Sequence, residues 1–155
     1  MSGGGDARVE PGASDEELAG HALEAKRGSY APYSRFHVGA ALEAVNGEVY
    51  YGANVENASY GVTTCAERVA VYKAVTSGAR KFARVAIVTD SPDPTPPCGA
   101  CQQVMREFDP EGNLRVVLAV VRPDGSVQVK KTYTLAELSP VAFTSKNVGC
   151  ENRRA

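Results

Sequence analysis

The sequence predicts an α/β protein, a three-layer α/β/α sandwich with a five-stranded mixed sheet. Three observations lead there. Segments with helical spacing alternate with short, strongly apolar runs from about residue 14 to residue 138, and such alternation builds a sheet covered by helices on both faces. Asn46-Gly47 lies between two apolar runs, so the first two strands form an antiparallel hairpin, while helices separate the next strands and make the sheet mixed. The chain has 155 residues, the size of one domain, with no internal repeat and no linker long enough to divide it.

The elements follow in order. Ser14 opens S-D-E-E, a capping box with Glu17, and a helix runs from there to about Lys26 and stops near Gly28. Residues 29–35 hold Pro32 and read as loop. Phe36 to Val45 is small and apolar, as a strand buried on both faces would be. The hairpin returns along Glu48 to Val55. After a loop over 57–64, a second helix starts near Cys65, puts Val69, Tyr72 and Val75 on one face, and ends at Gly78. Val85 to Thr89 is a short strand. Residues 91–97 contain four of the nine prolines and form a loop. Cys98 to Phe108 fits a helix, Leu114 to Val121 a strand, and Pro123-Asp124-Gly125 a turn. Val127 and Val129 alternate with polar residues on a strand with one wet face, and Thr134 to Leu138 fits a last helical turn. Residues 1–13 and 145–155 read as loose tails around a single domain over 14–144.

Hydrophobic residues make up 43% and charged residues 23% of the chain, and the formal net charge is −1. That balance argues against a protein that coats a nucleic-acid polymer, because such affinity comes from lysine and arginine against phosphate. No run of about 18 apolar residues suggests a membrane span. The first twelve residues carry no apolar stretch like a signal peptide. The cytoplasm is the expected compartment, where the four cysteines are better suited to metal or catalysis than to disulfides.

The chemistry gathers in two stretches. Cys98 and Cys101 have the C-x-x-C spacing that lets two thiolates hold one zinc ion. Cys65 starts the preceding helix, where unpaired N–H groups and the helix dipole favour a thiolate. If both helix starts face one point, three thiolates meet there. A zinc with three protein ligands keeps a position for water, the catalytic arrangement. Glu67 lies two residues past Cys65, too close to chelate beside it, but able to reach that water as acid and base. This matches the signature of zinc deaminases: an unligated glutamate followed by P-C-x-x-C.

T-C-A-E-R (Thr64 to Arg68) and P-C-G-A-C-Q-Q (Pro97 to Gln103) resemble the two zinc motifs of the cytidine deaminase family, in its small three-cysteine form. Y-S-R-F-H-V-G-A-A-L (Tyr33 to Leu42), G-A-N-V-E-N-A-S-Y (Gly52 to Tyr60) and V-A-F (Val141 to Phe143) are similar to further segments of that family. The resemblance implies a cytidine deaminase-like catalytic domain with one Zn²⁺ per subunit on Cys65, Cys98 and Cys101. Glu67 would be the proton shuttle. Asn54 and Glu56 would bond the sugar hydroxyls, Phe36 would pack on the pyrimidine, and the main chain at Ala66 would bond the base edge. Arg68 would donate to the zinc thiolates and drain charge from them. The implied reaction is hydrolysis of cytidine and 2′-deoxycytidine to uridine and 2′-deoxyuridine in nucleoside salvage. The implied assembly is a homotetramer, with Tyr33, Tyr60 and Phe143 candidates for crossing between subunits. Two positions depart from the family pattern. Gln102 stands where arginine is usual, and Ser139-Pro140 follows Leu138 where a second leucine is commoner.

Other readings compete. C-x-x-C at a helix start also suits a thioredoxin-like redox pair. Cys150 as a fourth ligand would close a purely structural Cys₄ site. A deaminase of a cytosine-bearing antibiotic such as blasticidin S, or one acting on a base within RNA, would share the zinc motifs. The Asn54/Glu56 segment favours free nucleosides. His21 and His37 lack ligand spacing with the cysteines and are assigned no chemistry.

Overall fold

The computed structural model describes residues 4–150; the outer parts of both expected tails, 1–3 and 151–155, lie outside it. In chain order the elements are β1 (Ala7–Arg8), α1 (Asp15–Lys26), β2 (Val38–Ala44), β3 (Glu48–Ala53), α2 (Ala66–Thr76), β4 (Phe82–Thr89), α3 (Gly99–Phe108), β5 (Arg115–Val121), β6 (Val127–Thr134) and α4 (Leu135–Leu138). They form one mixed sheet of order β1-β3-β2-β4-β5-β6, in which only β4 and β5 run parallel. The sheet therefore has six strands and not five. The extra one is β1, which hydrogen-bonds to the outer edge of β3 through Ala7↔Val49 and Arg8↔Glu48. Two residues carry no period, so this pairing is invisible to pattern reading. A side-chain contact helps to fix it: the Asp6 carboxylate accepts from Tyr51 N at 2.8 Å and from Lys73 Nζ at 2.9 Å.

The helices divide between the two faces. Leu18, Ala19 and Ala22 of α1 pack with Ala41, Val49, Ala86, Val88 and Val117 on one side. Ala66, Ala70 and Val71 of α2 and Cys101 and Met105 of α3 pack with Leu42, Tyr50, Val85, Ile87 and Leu118 on the other. Strand residues alternate between these sets, as a period of two requires when both faces are dry. Ser14 caps α1 by accepting from Glu17 N at 3.1 Å, and Asp15, Glu16 and Glu17 sit where the helix dipole favours acids.

Two glycines set how near the helices come. A Cβ on Gly39 of β2 would lie 2.1 Å from Ala22 O of α1. A Cβ on Gly52 of β3 would lie 2.0 Å from Ala66 O and 2.6 Å from Ala70 N of α2. Ala40 pairs with Gly52 and Gly39 with Ala53, so the two clearances are neighbours on opposite faces. Both helix backbones touch the sheet directly at this end.

Several boundaries differ from the sequence reading: β2 and β3 are shorter than Phe36 to Val45 and Glu48 to Val55, and three further differences bear on the sheet. The β2–β3 link spans residues 45–47, with Gly47 at φ 87° and Gly47 N bonded to Ala44 O, a three-residue connection where Asn-Gly suggested two. Strand β4 begins at Phe82, three residues early. Strand β6 continues to Thr134, and its pairing with β5 slips between Leu118 and Ala119 so that Lys130 is the extra residue of a bulge. Among the described residues, no helix is long and apolar enough to cross a membrane.

Candidate active site

Cys65 is the N-cap of α2 and Cys98 the N-cap of α3, and both helices aim their first turns at one spot. The clearance at Gly52 is what lets the start of α2 settle against β3. Cys101, one turn into α3, is fully buried beneath them. The three Sγ atoms lie within 4.8 Å of one another, with Cys65–Cys98 at 3.8 Å and Cys98–Cys101 at 3.4 Å. Tetrahedral zinc with bonds of about 2.3 Å sets its sulfurs about 3.8 Å apart, so the spacing fits that ion. Cys150 is not in the cluster. Its exposed Sγ sits 3.5 Å from Val148 O, so no fourth thiol closes the site.

The surroundings fit a negatively charged sulfur cluster. Arg68 Nη2 donates to Cys65 Sγ and to Thr63 O, both at 3.3 Å, while its buried Nε has no hydrogen-bond partner. A permanent cation held this way would be poorly matched to neutral thiols. Hydrogen bonding from Cys101 and Arg68 lowers the Cys65 thiol to about 5, whereas sharing that charge with Cys65, together with burial, raises Cys101. The thiols alone thus hold one negative charge readily and more only with a cation among them. Gln102, at the position where arginine is usual, bonds Pro97 O at 2.9 Å and braces the turn into Cys98.

Glu67 lies at the same spot, 5% exposed, with Oε2 3.7 Å from Cys101 Sγ. Burial, reinforced by the Cys65 charge, pushes its carboxyl up to about 7, where it exchanges protons near neutrality. A stability test follows. The folded state holds this proton more tightly than the unfolded chain, whose glutamate titrates near 4.5. The resulting stabilisation is complete below the unfolded value and lost as pH rises through the folded one. Glu67→Gln cannot ionise. In metal-free protein its stability relative to wild type should grow by about 3 kcal/mol between pH 4 and pH 8, read from urea melts at each pH. A constant gap would show that the carboxyl is not held protonated.

A cavity of about 260 Å³ opens over these groups. Glu67, Cys65 and Cys98 line it, Phe36 and Ile87 give it apolar surface, and Asn54 and Glu56 line it as well. Ala66, by contrast, is fully buried and does not line the cavity. Glu56 is held by Tyr33 N at 2.9 Å and Ser34 N at 3.1 Å on Oε1, and by the Ser34 hydroxyl on Oε2. That hydroxyl, with the two N–H groups, keeps its carboxyl below the usual range. The loop that presents these donors turns at Arg35, a non-glycine residue in the left-handed region at φ 57°, a conformation tolerated where a site demands it. A second cavity of about 340 Å³ adjoins the first through Ser34, Glu56 and Thr63. Tyr33 and Tyr60 line it edge to face, with centroids 5.9 Å apart. Phe143 lines neither cavity. It is 60% exposed, and its carbonyl accepts from Gln103 Nε2 at 2.9 Å.

Some of the wall was not foreseen. Thr95 and Pro96 of the proline-rich loop close one side, with Thr95 Oγ1 3.0 Å from Thr89 Oγ1. The P-T-P-P run before Cys98 was the available signal, since a rigid loop leading into a ligand has little freedom to point elsewhere.

Two helix starts aimed at one thiol cluster, beside a carboxyl that exchanges its proton near neutrality, define a zinc-dependent hydrolase. Residues 13–119 match the family model described as the cytidine and deoxycytidylate deaminase zinc-binding region. The cytidine deaminase of Halalkalibacterium halodurans is 47% identical over 131 residues, covering 84% of this chain and 95% of its own. That of Mycobacterium tuberculosis is 44% identical over 88% of this chain and 94% of its own. Among solved structures, cytidine deaminase from Burkholderia pseudomallei superposes with a TM-score of 0.75 at 44% identity, covering 84% of this chain and all of that one. The chain belongs to the cytidine and deoxycytidylate deaminase family.

Proposed function

We propose that the protein catalyses the zinc-dependent hydrolysis of cytidine and 2′-deoxycytidine to uridine and 2′-deoxyuridine with release of ammonia. The observation that carries this is the convergence of Cys65, Cys98 and Cys101 beside Glu67, at a cavity lined by Cys65, Cys98 and Glu67 together with Asn54 and Glu56. Cys65, Cys98 and Cys101 would hold the zinc ion, which when bound would supply an acidified water as the nucleophile. Arg68 draws charge from Cys65 and keeps that thiolate from overwhelming the cation. Glu67 accepts the proton that the water gives up and hands it to N3 of the pyrimidine, which makes C4 electrophilic. After the water oxygen has added to C4, Glu67 takes the proton of that new hydroxyl and passes it to the amine, which leaves as ammonia as the C4 carbonyl forms. Phe36 offers the ring an apolar face, and the family resemblance is what supports a bond from the Ala66 main chain to the base edge.

The cavity also suits a nucleoside better than a nucleotide. Among the described residues lining it there is no lysine or arginine, and the Glu56 carboxylate stands where the sugar would lie, so a phosphate would find no counter-charge. The near-neutral net charge of −1 weighs against a polynucleotide.

The enzyme works as a homotetramer. Tyr33, Tyr60 and Phe143 are 49%, 75% and 60% exposed, apolar surface of the kind an assembled interface covers. Free thiols suit a reducing compartment, which supports the cytoplasm as the proposed location. The test is ultraviolet-monitored deamination by purified, zinc-loaded protein offered cytidine, 2′-deoxycytidine, blasticidin S and single-stranded oligonucleotides, with native mass measured on the same sample. The expected result is turnover of the first two at a mass of four chains. Preference for either of the others overturns the substrate reading, and a one-chain mass overturns the assembly.

A further inference from the structure

Asn54 is 8% exposed, and its amide is almost wholly committed. Val38 N donates to Oδ1 at 2.9 Å, and Nδ2 donates to Phe36 O at 2.8 Å. A backbone N–H requires oxygen and a carbonyl requires N–H, so these two contacts fix which way the amide faces. The Ser29 hydroxyl lies 2.5 Å from the same Oδ1. An amide oxygen only accepts, so Ser29 donates, and both lone pairs of Oδ1 are filled. With its hydrogen spent, Ser29 Oγ can only accept from His37 Nδ1 at 3.0 Å. The imidazole therefore carries its proton on Nδ1. His37 is tethered in turn, because its backbone N–H donates to Asp90 Oδ2 at 2.8 Å and Asp90 is paired with Lys26.

One hydrogen of Asn54 remains, the second on Nδ2, and the residue lines the cavity. Glu56 shows the complementary remainder. Oε1 already accepts two N–H groups and Oε2 one hydroxyl, which leaves an acceptor site on Oε2. One unspent donor and one unspent acceptor lining the same cavity suit a group that is both, a free sugar hydroxyl.

We infer that Ser29 and His37 are positioning residues that hold the Asn54 amide as a single donor, and so make the site select substrates with a free hydroxyl on the sugar ring. The inference rests on the reading of Asn54 and Glu56 as sugar contacts. Without the Ser29 hydroxyl, Oδ1 keeps an open lone pair and the amide can tilt away from its donor geometry.

Two measurements test it. In wild type, ¹⁵N-resolved NMR of His37 at pH 8.5 should show a protonated Nδ1 and a bare Nε2; the opposite tautomer overturns the relay whatever the protein's activity. In steady-state kinetics, the preference for cytidine over 2′,3′-dideoxycytidine should fall about tenfold in Ser29→Ala, with the loss in KM for cytidine and little change in kcat. Ser29→Thr should restore it, and His37→Leu should show a smaller fall. An unchanged preference, even if both rates drop together, means a merely structural role and ends the proposal. Wild type without turnover of cytidine defeats instead the functional reading, and the tautomer still reports on the relay.

Discussion

Glu67→Gln should retain one zinc per chain and lose turnover by roughly 10²- to 10⁴-fold. Glutamine matches the shape of the buried carboxylate but can neither take a proton nor return one. The wild-type residue can do both, because burial holds it near 7. Zinc retention follows from the ligand set, since the three sulfurs already have the spacing of the ion without help from the carboxylate. Elemental analysis and steady-state kinetics on one preparation decide the matter. A variant within tenfold of wild type removes Glu67 from the proton path. A variant that loses its zinc makes it part of the metal site instead.

Gly52→Ala should be among the most damaging single-methyl changes in the protein. The added carbon would sit 2.0 Å from Ala66 O and 2.6 Å from Ala70 N, main-chain atoms that cannot swing aside as a side-chain tip would. Overpacking usually costs about 1–3 kcal/mol, and contact with a helix backbone puts this case at the upper end. For a chain of this size that lowers Tm by roughly 6–12 °C. The functional loss should exceed the thermal one, because helix α2 carries both Cys65 and Glu67. Moving it outward separates Cys65 from Cys98 and Cys101, so zinc affinity falls as well. Gly20→Ala is the control. It lies in α1 with nothing near its missing Cβ, and should raise stability by roughly 0.5–1 kcal/mol. Equal Tm values for the two variants would refute the close-packing argument.

These two residues also show what the sequence made legible. Glu67 and the three cysteines stood out because helix starts and C-x-x-C spacing are local features, and local geometry fixes where such side chains point. The strand runs were legible for the same reason, since alternation and apolar length report on burial. Gly52 was read only as part of a family-like segment. Its clearance exists because α2 crosses β3 there, a tertiary fact with no local trace. Ser29 was passed over and His37 was assigned no chemistry for the same reason: Ser29 meets Asn54 across 25 positions of chain and His37 meets Ser29 across 8, and His37 has no ligand spacing with the cysteines. Strand β1 was too short to register. The Thr95–Pro96 wall was only hinted at, because a proline run announces a loop without saying what it faces.

The two rims of the sheet bear on how copies of the chain can meet. On one side β3 is already covered by the two residues of β1. On the other, β6 offers Lys130 and Lys131, with Lys130 thrown out of line by the bulge. Charged, buckled or very short rims resist the addition of a neighbour's strand. Copies of this protein should therefore join through their aromatic loops rather than by prolonging one another's sheets, and destabilised variants should be slow to seed fibrils from either flank.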